Sequence, residues 1–214
     1  MGFVVAIDGP AASGKGTIAV RLGEAFGLSV LDTGLLYRAV AARALAAGVS
    51  LDDSAACAAA AGRLDLDSLD DPALRARAMG EAASRVAAYP DVRAALVAAQ
   101  RAFAAREPGA VLDGRDIGTV IAPQAGAKLF ITASPEARAE RRWRQLAAQG
   151  ERVSLAEILA DIRSRDARDS GRAAAPLRAA DDAVLLDTTD LSIDASFEAA
   201  RRIVEAARAL REHS

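Results

Sequence analysis

The sequence predicts a doubly wound α/β fold with five parallel strands in one domain spanning residues 1–214. Short, uninterrupted apolar runs alternate along the chain with longer segments whose apolar residues recur every three or four positions. The short runs are typical of buried parallel strands, and the longer segments are typical of the helices that connect them. Glycine, aspartate and threonine cluster directly after several runs, where strands of such sheets present their ligand sites.

Five apolar runs are predicted to be the strands. The first run meets Asp8, the second meets Asp32 and the third meets Asp113. Because neighbouring parallel strands end at one edge of a sheet, these polar residues are expected to lie together. The runs occupy residues 3–7, 29–31, 110–112, 128–132 and 183–186.

The helices are predicted from apolar spacing and from capping residues. Residues 17–26 and 35–47 each end beside a glycine, and residues 91–106 end before a Pro-Gly pair. Two later helices begin at an N-cap serine, Ser134 ahead of a proline and Ser154 ahead of a glutamate at the capping-box position. An amphipathic segment at the end of the chain predicts the last helix.

Residues 50–90 differ in character from the rest of the chain. Residues 55–61 are almost all alanine, residues 65–71 are rich in aspartate, and no apolar run predicts a strand. We interpret this segment as a helical insertion that lies over the sheet.

Composition bounds the function classes. Hydrophobic residues make up 52% of the chain and charged residues 26%, as in ordinary globular proteins, and a formal net charge of -2 argues against a general polyanion binder. Cys57 is the only cysteine, which excludes an intramolecular disulfide and a cysteine-based metal site. The only histidine, His213, lies next to the end of the chain and is a poor catalytic candidate.

The expected compartment follows from the absence of targeting signals. Residues 1–6 lack the basic region of a signal peptide, and no apolar run approaches the roughly 20 residues that span a bilayer. We therefore expect a cytoplasmic protein without a membrane partner. We also expect a monomer without a nucleic-acid partner.

The segment after the first strand matches a phosphate-binding loop. It satisfies the pattern G-x-x-x-x-G-K between a strand and a helix, where glycines let backbone N–H groups point at one phosphate. Lys15, one of only two lysines, would reach the β- and γ-phosphates of ATP. The predicted ATP-binding residues are Gly9, Pro10, Ala11, Ala12, Ser13, Gly14, Lys15, Gly16 and Thr17.

This loop identifies a nucleotide-binding protein but leaves the reaction open. Gly16 occupies the position where many such loops carry Ser or Thr, and Thr17 follows it. A GTPase would need a base-reading Asn-Lys-x-Asp motif, which is absent after residues 128–132, and a motor or transport ATPase would need a much longer chain. A small-molecule kinase is therefore favoured.

Acids and arginines are predicted to complete the site. Asp113 follows a strand, where an acid can orient Mg²⁺ or its waters, and we predict that Thr17 and Asp113 hold Mg²⁺, partly through water. Arg115 at the same strand end could meet an acceptor phosphate. Residues 150–172 are predicted to form a mobile lid that delivers guanidinium groups to the transferring phosphoryl group. On a helix, one face of this lid would carry Arg165, Arg168, Asp169 and Arg172.

The acceptor is constrained by the lack of a general base. A hydroxyl acceptor benefits from a group that removes its proton, and no histidine is suitably placed. A nucleoside monophosphate needs no base, since its second pKa near ~6 makes it a dianion at neutral pH. The sequence thus favours a phosphate acceptor, although Asp32 could still act as a base.

Six segments match one known set of motifs in order and spacing. They are residues 14–17, 32–38, 83–87, 100–103, 113–120 and 165–177. Together they resemble the bacterial cytidylate kinase family, a nucleoside monophosphate kinase branch of the P-loop kinases. Residues 113–116 read Asp-Gly-Arg-Asp, where adenylate kinases would show Asp-Gly-Phe-Pro-Arg.

The resemblance implies the P-loop kinase fold and the phosphorylation of CMP and dCMP by ATP with Mg²⁺. Residues 50–90 would be the monophosphate-binding insertion, shorter here than in the family, and residues 150–172 the lid. The implied catalytic residues are Lys15, Arg115, Arg165 and Arg168. The implied CMP-binding residues are Thr33, Tyr37, Arg38, Ser84, Arg93, Arg115, Asp116, Arg165, Asp169 and Arg172.

Two other functions remain open from the sequence. One is a hydroxyl kinase of the shikimate type with Asp32 as base, although Gly34 stands where such enzymes tend to carry a second acid. The other is a nucleotide-binding module without turnover, which the arginine-rich face of the lid argues against.

Overall fold

The structure is a computed structural model that describes residues 2–64, 69 and 71–212, apart from the side chain of Glu212. His213 and most of the acidic stretch at residues 65–71 lie outside these residues. No helix among the residues described is long and apolar enough to cross a membrane.

Five parallel strands form one sheet, which confirms the predicted doubly wound α/β class. The strand order is β2-β3-β1-β4-β5, and each neighbouring pair is parallel. The register places Asp8 beside Gly114 and Asp32 beside Asp113, so these polar strand ends meet at one edge of the sheet. The strands are β1 (Phe3–Asp8), β2 (Ser29–Asp32), β3 (Gly109–Gly114), β4 (Ala127–Thr132) and β5 (Val184–Asp187).

Helices cover both faces of the sheet. The predicted caps are confirmed, since Ser134 accepts a hydrogen bond from the backbone of Ala137 and Ser154 forms a capping box with Glu157. A 3₁₀ turn at Pro72–Arg75 and a π turn at Ile117–Ile121 are additional elements. The α-helices are α1 (Lys15–Phe26), α2 (Thr33–Ala46), α3 (Ser54–Ala61), α4 (Arg77–Val86), α5 (Pro90–Ala104), α6 (Pro135–Ala148), α7 (Leu155–Ser170) and α8 (Ile193–Glu212).

Apolar side chains pack on both faces of the sheet because successive residues of a strand point to opposite faces. Ala6 and Leu112 pack with α2 and α5 on one face. Ile7 and Val111 pack with α1 and α8 on the other face. A smaller cluster that includes Leu146 and Ile158 holds α6 against α7. The central strands are thereby fixed on both sides, which holds their carboxyl ends in place.

The segment at residues 50–90 is helical where it is described, as predicted. It contains α3, the 3₁₀ turn and α4, and these elements pack against α2 and α5. Cys57 in α3 is fully buried in this layer, in agreement with a small packing residue. The segment thus covers the face of the sheet on which α2 and α5 pack.

Candidate active site

The loop at residues 9–17 curls over the carboxyl end of β1. Gly9 has a φ of 145°, and a Cβ there would lie 2.0 Å from the carbonyl oxygen of Ile131, so only glycine fits. Gly14 has a φ of 91° and caps α1, which therefore begins at Lys15 rather than at residue 17. Backbone N–H groups at the start of a helix with this geometry bind phosphate well.

Lys15 and Asp113 form a buried pair beneath this loop. The Nζ atom of Lys15 donates to the carbonyl oxygen of Pro10 at 2.9 Å and lies 3.7 Å from Oδ1 of Asp113. Burial, followed by the charge of Arg115, lowers the pKa of Lys15 to about 8, and burial raises the pKa of Asp113. Anionic phosphate in this cleft would oppose the shift of Lys15 and keep its ammonium charged.

The same cleft offers oxygen ligands for a divalent cation. Oδ1 of Asp113 is buried and has no hydrogen-bond donor among the residues described. Thr17 is exposed and lines a cleft of about 410 Å³ together with Lys15 and Asp113. A carboxylate and a hydroxyl beside a phosphate loop suit Mg²⁺, which prefers hard oxygen ligands.

A second, narrow cavity lies beside this cleft. Apart from Arg38, the predicted CMP-binding residues all line this cavity. They are Thr33, Tyr37, Ser84, Arg93, Arg115, Asp116, Arg165, Asp169 and Arg172. The structure thus brings together side chains from α2, α4, α5, α7 and the segment after β3.

A buried ion pair lines the narrow cavity. Arg93 of α5 donates to the carboxylate of Asp116, and its guanidinium lies 5.5 Å from the centre of the Tyr37 ring. Thr33 donates to the carbonyl oxygen of Asp113 at 2.8 Å. Burial raises the pKa of the Tyr37 phenol. These residues therefore present fixed hydrogen-bonding groups and an aromatic face, as a site for a planar base requires.

A second group of residues in the narrow cavity carries excess positive charge. Asp169, only 1% exposed, accepts from Arg115 at 3.0 Å and from Arg172, and lies 3.9 Å from Arg165. Burial, and next the charge of Arg115, lowers the pKa of Arg165 to about 10. Three guanidinium groups around one carboxylate leave net charge to bind an anion.

The two cavities meet at two arginines. Arg115 and Arg165 line both the narrow cavity and the phosphate cleft. Arg38 lines the cleft and donates to the carbonyl oxygen of Leu74 at 2.8 Å. A group held by these arginines would therefore face the phosphate loop.

Arg168 has an ion-pair partner that the sequence did not indicate. Its guanidinium forms a two-bond ion pair with Glu81 of α4, whose longer bond, from Nη2 to Oε2, is 2.7 Å. Asp169, the next residue of α7, instead accepts from Arg115 and Arg172. The contact of Arg168 with the transferring phosphoryl group stays a prediction.

Comparison with known proteins identifies the family. The cytidylate kinase family profile matches residues 5–207. This chain belongs to the cytidylate kinase family. The cytidylate kinase of Caulobacter sp. (strain K31) is 62% identical over 209 residues, covering 98% of this chain and 97% of that protein. The cytidylate kinase of Azorhizobium caulinodans is 63% identical over 206 residues, covering 96% and 100%.

The fold is also shared with a solved structure. An uncharacterized protein from Eubacterium ventriosum ATCC 27560 has a TM-score of 0.56 at 14% identity, covering 96% of this chain and 99% of that one. At this identity the likeness concerns the fold alone.

Family membership confirms the expected activity, the phosphorylation of CMP and dCMP by ATP. The hydroxyl-kinase and binding-module alternatives are not favoured. Asp32, the base required by the first alternative, instead accepts a hydrogen bond from the backbone of Gly34 at 2.9 Å as the N-cap of α2.

Sequence reasoning missed several residues of the phosphate cleft. Arg141 and Arg142 of α6 and Ile193 of α8 line it beside the loop. Burial lowers the pKa of Arg142, as expected for a partly enclosed cation. The sequence shows these arginines only as part of a charged helix, so their spacing could not predict that they line the cleft.

Proposed function

We propose that the γ-phosphoryl group of ATP passes to CMP or dCMP where the phosphate cleft and the narrow cavity meet. The observation that carries this proposal is that Arg115 and Arg165 line both cavities. Between two phosphates, they would neutralise the charge that spreads over the oxygens of the transferring group. Lys15 and the backbone of the loop would hold the donor phosphates.

The narrow cavity is proposed to hold the acceptor nucleotide. Asp116 would accept from the N4 amine of cytosine, with Arg93, Thr33 and Arg172 around the base. Uracil carries a carbonyl at that position, so the carboxylate of Asp116 would disfavour it. Tyr37 would supply the aromatic face beside Arg93.

The ribose and phosphate of the acceptor would lie toward the arginines. Ser84 is 2% exposed, and its Oγ atom has no partner in the described part of the chain, so it can bind a ribose hydroxyl. Asp169 and Arg165 are proposed to reach the same ribose. Arg38 and Arg115 are proposed to hold the CMP phosphate, since both line the cleft that faces the donor.

Mg²⁺ is proposed to bind between Thr17, Asp113 and the phosphates of ATP. The Oδ1 atom of Asp113, which accepts no hydrogen bond in the described part of the chain, supports this assignment. The described residues contain no cluster of three or more His, Cys, Asp or Glu suited to a metal, so phosphate oxygens and water would complete its ligands. When bound, the ion would neutralise phosphate charge.

The chain is proposed to act as a cytoplasmic monomer that binds nucleotides and no nucleic acid. The residues lining both cavities come from one chain, which supports a complete site in each copy. Residues 50–90 are proposed to be the monophosphate-binding insertion and residues 150–172 the lid, because both contribute residues to the narrow cavity.

A coupled assay of ADP formation with CMP, dCMP, UMP, AMP and shikimate tests the proposal. We expect turnover with CMP and dCMP and much weaker turnover with UMP. Arg165→Ala should lower kcat at least about a hundredfold, since a guanidinium at the transferring group contributes strongly. Arg163→Ala serves as control, because Arg163 lies on the same helix and pairs with exposed Glu136. Absence of turnover with CMP would refute the proposal, and equal turnover of UMP and CMP would refute base reading by Asp116.

A further inference from the structure

The last residue of β1 is a buried acid that the reaction above does not use. Asp8 is 3% exposed and lies directly before Gly9, the first residue of the phosphate loop. Its Oδ1 accepts from the backbone N–H of Ile117 at 2.8 Å, and its Oδ2 accepts from that of Gly118 at 2.8 Å. One carboxylate thus joins the phosphate loop to the segment after β3.

The two backbone amides that donate to Asp8 lie at the start of the π turn at Ile117–Ile121. The first N–H groups of any helical turn have no carbonyl partner within it and need one from elsewhere. Within the turn, the bonds begin only later, with Val120 donating to the carbonyl of Asp116 and Ala122 to that of Ile117. Asp8 therefore caps this turn across the sheet.

Within the described part of the chain, no ion pair explains the burial of Asp8. The charged groups around it are Asp113 and Asp116, and both disfavour its ionised form. Lys128 of β4 approaches Gly118, but its Nζ atom donates to Asp182 and to the carbonyl of Pro123. Among the residues described, backbone amides are thus the main support of this carboxylate, which ties Asp8 to the backbone geometry of this segment.

We propose that Asp8 is a positioning residue for acceptor binding, which holds residues 114–118 so that Arg115 and Asp116 face CMP. The segment has little room to settle elsewhere. A Cβ at Gly114 would lie 2.6 Å from Cδ1 of Ile117 and 2.7 Å from Oγ1 of Thr33, so the chain must turn closely there. The inference rests on the proposed roles of Arg115 and Asp116.

Asp8→Asn tests this inference because it keeps the size of the side chain but leaves one of the two amides without an acceptor. We expect the KM for CMP to rise about tenfold or more, the effect of losing a hydrogen bond to a charged group. The preference for CMP over UMP should fall as well. The KM for ATP should change less than about threefold, since the loop keeps its own glycine geometry.

Asp187→Asn is the matched control. Asp187 also ends a parallel strand and accepts from a backbone N–H, that of Thr189 at 2.8 Å, but it lies at the edge of the sheet. Its variant should keep both KM values. Hydrogen exchange adds a structural readout, since the amides of Ile117 and Gly118 should exchange faster in Asp8→Asn and at the native rate in the control.

The variant Asp116→Ala distinguishes the proposed role of Asp8 from the proposed role of Asp116, on which it rests. Lost base preference in Asp116→Ala, with native preference and native KM for CMP in Asp8→Asn, would overturn the role of Asp8 alone. Unchanged preference in both variants would overturn the assignment of Asp116 as well. Equal increases in the KM for ATP and for CMP would also overturn the inference, because Asp8 would then act on the phosphate loop.

Discussion

The carboxyl group of Asp8 is costly to keep ionised. Burial raises its pKa from 3.8 to about 6, even though Gly118 and Ile117 donate to it. Between these two values the folded chain holds a proton that the unfolded chain has released, so the free energy of unfolding falls as pH rises and levels off above the folded pKa. A charge that opposes folding at neutral pH fits a functional role better than a stabilising one.

Asp8→Asn should therefore gain stability relative to the native chain as pH rises. From about pH 4 to about pH 7 we expect the difference in unfolding free energy to grow by about 2 kcal/mol in favour of the variant. Guanidinium titrations of both proteins at several pH values measure it.

For Asp187→Asn, the difference in unfolding free energy from the native chain should change with pH in the opposite direction. Hydrogen bonds from Thr189 lower the pKa of Asp187, so its ionised form stabilises the fold as pH rises, and the variant loses that contribution. If the difference in unfolding free energy between Asp8→Asn and the native chain did not change with pH, ionised Asp8 would not destabilise the fold.

Single residues also show where sequence reasoning stops. The spacing of Arg165, Asp169 and Arg172 was enough to predict that they share a face, and the structure brings them together. Spacing could not show that Arg168 meets Glu81, 87 positions away, or that Asp8 meets Ile117, 109 positions away. Such pairs depend on how elements pack, and local patterns do not contain that information.

Two ion pairs connect α4 of the proposed insertion to α7 of the proposed lid. Arg168 pairs with Glu81, and Arg77 donates to Asp161 at 2.5 Å. Because all four side chains are at least one-third exposed, each pair contributes at most about 1 kcal/mol and weakens as salt rises. Two weak ion pairs of this kind would favour closure of the proposed lid over the proposed insertion and would still let the two parts separate.

The double variant Glu81→Gln, Asp161→Asn removes both acids. It should weaken closure of the proposed lid over the acceptor nucleotide. We expect the KM for CMP to rise a few-fold at low ionic strength and to converge with the native value near about 0.5 M salt, where charges are screened beyond roughly 4–5 Å. Steady-state assays across a salt series measure this.

Glu140→Gln is the control for that series, because the ion pair that the described residues give Glu140 lies within α6, with Arg144 one turn away. Its KM should follow the native salt dependence. A double variant that also follows the native curve would contradict the link between α4 and α7.

Elements were predicted well where their signal is local. The strands follow from apolar runs, although β3 extends from Gly109 to Gly114, because its end residues pair in the sheet without being apolar. The π turn at Ile117–Ile121 was not predicted. Its first amides depend on Asp8 of another strand, so no nearby residue signals it.

At the scale of the whole molecule, the sheet order places donor and acceptor groups side by side. With β1 between β3 and β4, the loop after β1 and the arginine-bearing segment after β3 leave the sheet at neighbouring positions. The sequence was sufficient to predict the fold class and nine of the thirteen residues that line the narrow cavity. The strand order and the meeting of the two cavities at Arg115 and Arg165 follow from tertiary pairing and required the structure.

The central claim is that the phosphate cleft and the narrow cavity are two halves of one site. Inhibition by an analogue that joins adenosine to cytidine through a chain of phosphates tests it most directly. The account predicts that this compound competes with both ATP and CMP, and that Lys15→Met and Arg115→Ala each weaken its binding. Competition with ATP alone, with CMP still binding to the inhibited enzyme, would contradict it.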